Sequence, residues 1–183
     1  GTHAHFVVRD TKRRDIYVAS VRDRVVHQLI ANRIEPIFTK HFYTHSCAAQ
    51  KGKGVNAARK YIFDSIGRLQ NHGRVWLAKL DVRHYFASID QEILLRLLAR
   101  RVHEEKLFAL CRNIIQSFGT DGLGLPLGNL TSQWFANVYL HELDWHAKHS
   151  LGIRFYMRYN DDVLIVSRDE ILVRKYVKEI QTF

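Results

Sequence analysis

The sequence is poor in the residues that staple, break or anchor a chain. Its two cysteines, Cys47 and Cys111, lack C-x-x-C spacing, which excludes a zinc ribbon and a disulfide scaffold and points to an intracellular, cytoplasmic compartment. Two prolines and ten glycines in 183 residues exclude a collagenous chain or a Pro-rich linker. No apolar run approaches the roughly 20 residues of a membrane helix, and no signal peptide is expected. A membrane partner is therefore not expected.

Acidic charge is scarce too. Lys and Arg total 28 against 18 Asp and Glu, for a net charge of +10 and a pI near 9.8. An excess of this size favours a polyanion such as nucleic acid, held by phosphate contacts. The cations gather in Arg9, Lys12, Arg13, Arg14, Arg22 and Arg24, and again in Lys51, Lys53, Arg59 and Lys60, so the N-terminal third reads as an electrostatic clamp. What remains is ordinary: 46% hydrophobic and 25% charged residues support a core without staples.

The pattern along the chain is mixed. Residues 5–20 read as two short strands around a charged turn. A helical spacing runs from Asp23 to Ile37, with Pro36 interrupting or re-aiming it. Residues 43–54 form a loop ending in Lys51-Gly52-Lys53-Gly54, and a helix follows from Val55 to Gln70. A buried strand over 75–81 stops at Asp81. Ser88 or Asp90 caps a helix to about Arg101, another helix covers 104–117, and 119–128 is a glycine-rich loop. A long amphipathic helix is expected over 131–149. Strands 153–159 and 163–167 meet across Asn160-Asp161 as a hairpin, and a last helix starts at Asp169. This order predicts an α+β fold with antiparallel strands.

Three carboxylates stand out by position. Asp81 closes an apolar strand, and Asp161 and Asp162 sit together at the hairpin tip. Adjacent carboxylates raise each other's pKa unless a cation offsets their charge. Turn chemistry accounts for one aspartate there, not for a second at the start of an apolar strand. If the strand ending at Asp81 pairs beside the hairpin, the three acids converge on one point. Such hard oxygen ligands suit Mg²⁺. Two ions about 4 Å apart would serve a 3′-hydroxyl attack and a pyrophosphate departure. An exposed acidic hairpin tip is the plain alternative.

Five motifs in order set that alternative aside. Asp81-Val-Arg-His-Tyr-Phe86, Gly124-Leu-Pro-Leu-Gly-Asn-Leu-Thr-Ser-Gln133 and Tyr159-Asn-Asp-Asp162 resemble the palm motifs of reverse transcriptases. Arg22-Asp-Arg-Val-Val-His27 and Leu29-Ile-Ala-Asn-Arg-Ile-Glu-Pro36 resemble the fingers of the bacterial members. The Gly-Asn-Leu-Thr-Ser-Gln stretch is most similar to diversity-generating retroelement enzymes. Group II intron-like enzymes typically carry other residues at Leu127 and Gln133. The chain also departs from the family pattern at Asn160, at Gln50, where relatives often carry Arg, and at Val55-Asn56.

The resemblance implies a right-hand polymerase: fingers over 1–75, and a palm over 76–183 with an antiparallel sheet packed on helices. It implies RNA-directed DNA synthesis on an RNA template with a DNA or RNA primer and deoxynucleoside triphosphates. Two Mg²⁺ ions, replaceable by Mn²⁺, would be held by Asp81, the Val82 carbonyl and Asp161, with Asp162 weaker. Arg14, helped by Arg9 or Lys12, would grip the triphosphate. Backbone near His84 and Tyr85, the Phe86 ring under the sugar, and Leu127 and Gly128 complete the expected nucleotide site. Lys51, Lys53, Gln133 and Tyr159 are the expected template and primer contacts. Only 21 residues follow Asp162, so an incomplete palm without a thumb, and weak or no activity of this piece alone, are expected. An accessory protein partner is compatible with this reading.

Two other functions use the same residues: a splicing-cofactor module that grips RNA, and an untemplated or protein-priming nucleotidyltransferase. Other signals fall away. His141-Glu142 is followed by His146, one place too far for a zinc-protease helix, and Pro126 interrupts the Gly122–Gly128 run as a dinucleotide loop. Trp76, Trp134 and Trp145 are expected in the core. Arg96, Arg100 and Arg101 are expected on a solvated helix face, and both cysteines as buried thiols.

Overall fold

The computed structural model describes residues 3–9 and 13–183. Lys12 and the Arg14 side chain, both expected at the triphosphate, lie outside the described residues. The chain packs as two compact units, each built from two stretches: 1–41 with 84–139, and 42–83 with 140–183. The subdivision at 75/76 follows chain order, whereas compactness follows strand pairing, which draws residues 76–83 to the C-terminal stretch.

The first unit opens with an antiparallel hairpin, β1 (His3–Arg9) and β2 (Arg13–Ala19). Helix α1 (Val21–Phe38) is started by Ser20, whose hydroxyl accepts the Asp23 N–H at 3.1 Å. Pro36 does not stop this helix. The carbonyl it leaves unpaired belongs to exposed Asn32, while buried Ile34 and Phe38 keep the last turn in place. A single turn, α3 (Tyr85–Ser88), precedes α4 (Gln91–Ala99), which Asp90 caps by accepting the Ile93 N–H at 2.9 Å. Helix α5 (Glu105–Gln116) follows. Ile30, Ile34, Leu94, Leu98, Cys111 and Ile115 are buried in this unit's core.

The glycine-rich loop is pinned rather than free. Gln91 Nε2 donates to the carbonyls of Phe118 at 2.6 Å and Gly124 at 2.9 Å, and the Leu125 N–H reaches Phe86 O at 2.8 Å. At its end Gly128 has φ +120°, and a Cβ there would stand 2.9 Å from Ile16 Cγ2 and 3.0 Å from Tyr17 O. Only glycine fits that approach to β2.

Helix α6 (Leu130–Trp145) passes into a π-helical turn at His146–Ser150. It is not amphipathic as expected: of residues 131–138 only Gln133 is exposed, which marks a buried helix. Trp145, expected in the core, is 56% exposed, with its ring beside His149.

The second unit is built on a three-stranded antiparallel sheet, ordered β3 (Trp76–Asp81), β5 (Asp162–Ser167), β4 (Phe155–Tyr159). β-Branched and aromatic residues fill β4 and β5, and Asn160, at φ +52°, takes the left-handed position of the two-residue loop between them. Helix α2 (Val55–Gln70) packs on β4 and β5 over a cluster of Cys47, Ala58 and Met157. Helix α7 (Glu170–Thr182), capped by Asp169, packs on β3 and β5. Residues 45–47 cover the outer edge of β4: the Cys47 N–H donates to Arg158 O at 2.8 Å, and the Arg158 N–H to His45 O at 3.0 Å. Both thiols are buried as expected.

Candidate active site

Register brings the acids together. Asp81 lies opposite Asp162 in the β3–β5 ladder, and Tyr159 opposite Asp162 in the β4–β5 ladder. Alternation along the strands therefore puts Leu77, Lys79, Asp81, Asp162, Leu164, Met157 and Tyr159 on one face. Asp161, the second loop residue, adds its carboxyl at the same end of the sheet.

The Asp161 carboxyl lies near enough to Asp81 for the two to influence each other's ionisation. Burial pushes its pKa above the usual carboxylate range, the negative charges of Asp81 and Asp162 add to the rise, and a backbone hydrogen bond partly offsets it. Asp162 has a different partner: Lys79 Nζ is 2.9 Å from its Oδ1, with both side chains partly exposed. Among the described residues no cluster of three or more His, Cys, Asp or Glu side chains is poised to hold a metal ion. The sheet thus unites Asp81 and Asp161 closely, while the diagonal lysine engages Asp162. Val82 follows β3 directly and is half-buried.

Behind this face sits a charge pair that sequence reasoning missed. Arg158 and Asp144 are both fully buried, with Nη2 and Nε of the arginine at 2.7 and 2.8 Å from the two carboxylate oxygens. Nη2 also donates to Ser46 Oγ at 3.0 Å, and Nη1 to the Asn160 carbonyl at 2.8 Å. The Tyr156 hydroxyl donates to Asp144 Oδ1 at 2.8 Å. The available signal was one arginine inside Phe-Tyr-Met-Arg-Tyr, a strand with no other charge.

The remaining expected residues divide between the units. In the second, Lys51 is exposed, while Lys53 is half-buried, with Nζ 3.4 Å from the Ser46 carbonyl and a pKa lowered by burial. Gln50 is buried and donates to the same carbonyl at 2.7 Å. Tyr159 packs against the Cys47–Ala58–Met157 cluster.

In the first unit, His84 has φ +51° and is exposed. The buried Tyr85 hydroxyl donates to the Ala136 carbonyl, and Phe86 meets the Tyr85 ring edge-on with centroids 5.4 Å apart. The Leu127 carbonyl accepts the Tyr17 N–H at 2.7 Å, so Leu127 and Gly128 anchor their loop on β2. Gln133 is exposed and Arg9 is exposed.

Comparison with known proteins gives this geometry a context. Residues 8–183 match the family model described as reverse transcriptase (RNA-dependent DNA polymerase). The chain is 28% identical over 156 residues to the mitochondrial nuclear intron maturase 4 of Arabidopsis thaliana, covering 81% of this chain and 19% of that protein. It is 27% identical over 139 residues to an uncharacterized 91 kDa protein in the cob intron of Schizosaccharomyces pombe, covering 72% and 17%. To the group II intron-encoded protein LtrA of Lactococcus lactis it is 24% identical over 140 residues, covering 73% and 22%. The chain thus spans about a fifth of each of these relatives. Among solved structures, telomerase from Candida tropicalis in complex with a fragment of telomeric RNA superposes with TM-score 0.67 at 10% identity, over 97% of this chain and 37% of that one. The apo, C-terminally truncated form superposes with TM-score 0.63 at 13% identity, over 99% and 46%. These likenesses match the α+β architecture with antiparallel sheets.

Proposed function

The chain belongs to the reverse transcriptase family, and from that premise we propose that the full-length protein carries out RNA-directed DNA synthesis at the Asp81–Asp161 pair. One observation carries the reading: Asp81 and Asp162 stand directly opposite each other in the β3–β5 ladder, with Asp161 adjoining them at the hairpin tip. The donor set fits divalent magnesium. Hard oxygens suit it, and a carboxyl whose ionisation is disfavoured by burial and two like charges is stabilised in its charged form by a cation. Asp81 and Asp161 would hold the ions together with the Val82 carbonyl, and Asp162 tunes the site through its pairing with Lys79. When bound, Mg²⁺ supplies Lewis-acid stabilisation of charge on the attacking and departing oxygens.

The chain's own residues do the rest. The reaction forms a bond from the primer 3′-oxygen to the α-phosphorus of a deoxynucleoside triphosphate and breaks the α–β bridge, releasing pyrophosphate. By the family resemblance Arg14 would balance triphosphate charge, Lys51 and Lys53 would track template phosphates, and Phe86 would exclude a ribose 2′-hydroxyl. A close-packed ring of this kind discriminates by about 1–3 kcal/mol. Similarity to an intron maturase favours a second reading, in which the same fold grips structured RNA and chemistry is secondary.

Primer extension on an RNA template, with paired deoxy- and ribonucleotides and Mg²⁺ or EDTA, separates the two. D81N and D161N should each lower extension at least about a thousandfold, the equivalent of some 4 kcal/mol, while RNA affinity stays near wild type. Near-normal extension by either variant removes the Asp81–Asp161 pair as the catalytic site, and RNA binding without extension by the wild type leaves RNA gripping.

A further inference from the structure

The buried Arg158 is more than a structural counter-ion. For holding a fold together, a buried ion pair is a weak device, since its desolvation cost can match its attraction and apolar residues of similar volume often serve as well. Pairing with Asp144 accounts for Nε and one bond from Nη2. It leaves the 2.8 Å bond from Nη1 to the Asn160 carbonyl without a reason.

That carbonyl belongs to the peptide linking Asn160 to Asp161, and the N–H at its other end is the Asp161 amide. The two groups share one rigid plane. Turning the plane moves the amide and swings the aspartate side chain with it. Asn160 tolerates its φ of +52°, but that angle does not fix the plane of the peptide that follows, which turns about Asn160 ψ and Asp161 φ. Arg158 reaches the loop from behind, since strand alternation puts its side chain on the face opposite Asp81 and Asp162. The guanidinium is itself fixed, because its planar fork meets both Asp144 oxygens and Ser46 Oγ in a dry site.

We propose that Arg158 is a positioning residue: anchored by Asp144 and Ser46, it clamps the Asn160–Asp161 peptide and so aims the Asp161 carboxylate at the cation it shares with Asp81. The proposal rests on the function proposed above and deepens it. It also ties the hairpin to the 45–47 segment, because the Arg158 backbone pairs with His45 and Cys47 while its side chain holds Ser46.

The test is Mn²⁺ binding to the full-length protein, read by electron paramagnetic resonance, with primer extension measured in parallel. The double variant R158M/D144L exchanges the ion pair for apolar bulk; it should stay folded but melt below wild type, because the Tyr156 hydroxyl, Ser46 Oγ and the Asn160 carbonyl lose partners. Residues that orient a metal ligand typically matter by 10–100-fold in affinity, so Mn²⁺ binding should weaken about tenfold or more. The kcat for extension should fall with it, while the nucleotide KM changes less. R158K retains a charge for Asp144, but one ammonium cannot span both Asp144 oxygens, Ser46 and Asn160. It should fold and show the same weakening, which keeps the test decisive if the double variant does not fold. Wild-type Mn²⁺ affinity in either folded variant overturns the proposal. If the wild type shows D161N-sensitive Mn²⁺ binding yet extends no primer, the polymerase reading fails while the Arg158 comparison still decides. If the wild type shows no such binding, both fail.

Discussion

Two clusters of charge occupy opposite faces of one three-stranded sheet, and they are built on opposite terms. On the rear face, Asp144 and Arg158 are dry, balanced one to one, and bonded through nearly every polar atom. On the front, Asp81, Asp161 and Asp162 gather at one end of the sheet, where Lys79 pairs with Asp162 and Asp161 is left with its ionisation disfavoured. The rear pair is neutralised one to one, whereas at the front Asp161 stands beside the like charges of Asp81 and Asp162. That crowding of like charge marks the working face, because a carboxylate whose ionisation is disfavoured gains from taking up a cation.

The comparison breaks most visibly if one carboxylate is removed from each side. D144A leaves the Arg158 guanidinium buried without its counter-charge, which typically costs about 3–5 kcal/mol. Urea denaturation of the full-length protein should show a loss of that order. A loss below about 1 kcal/mol would mean that water reaches the rear pair, and the contrast between the faces would collapse.

The front should respond with the opposite sign. The folded-state pKa of Asp161 is raised above its unfolded value, so its ionisation penalises the fold at neutral pH. The penalty is relieved as pH falls through the folded pKa. In EDTA at neutral pH, D161N should therefore be more stable than wild type. The gap should narrow as pH drops into the carboxylate range and reverse in sign when saturating Mg²⁺ is present. Thermal melts at several pH values read all three. Equal stability of the two proteins in EDTA at neutral pH would show that the front acids do not burden the fold.

The two faces were unequally legible in the sequence. The front is local: an aspartate closing an apolar strand, two more at a hairpin tip, and an asparagine suited to left-handed geometry can all be read within a few residues. The caps at Asp90 and Asp169 and the helix over 55–70 are of the same kind. The rear is not local. Arg158 meets Asp144 14 residues away and Ser46 112 residues away, and an arginine alternating with apolar residues in a strand reads as solvent-facing until segment 45–47 covers that edge. The same limit explains α6. Periodicity reports one buried stripe, and a helix buried on most sides looks like a noisy amphipathic one, which also misplaces Trp145. Pro36 misled because the rule that it breaks helices assumes that its missing hydrogen bond matters, and here the orphaned carbonyl belongs to an exposed residue.

Lys79 sharpens the comparison with the smallest effect. Its ammonium is held 2.9 Å from Asp162, with the lysine side chain 57% exposed. An ion pair this open is worth at most about 1 kcal/mol of stability, so K79M should melt close to wild type. Its effect on cation binding has the opposite sign to that of most surface substitutions. An ammonium beside the site repels an incoming Mn²⁺ and competes with it for Asp162. A unit charge a few ångströms away in high dielectric amounts to roughly 1 kcal/mol, which is about fivefold in affinity. K79M should therefore bind Mn²⁺ a few-fold more tightly than wild type at low salt. The advantage should shrink at high ionic strength, where screening already weakens the repulsion. Titration by electron paramagnetic resonance at two salt concentrations measures both. Weaker Mn²⁺ binding by K79M would show that the lysine organises Asp162 for the metal rather than standing in for it.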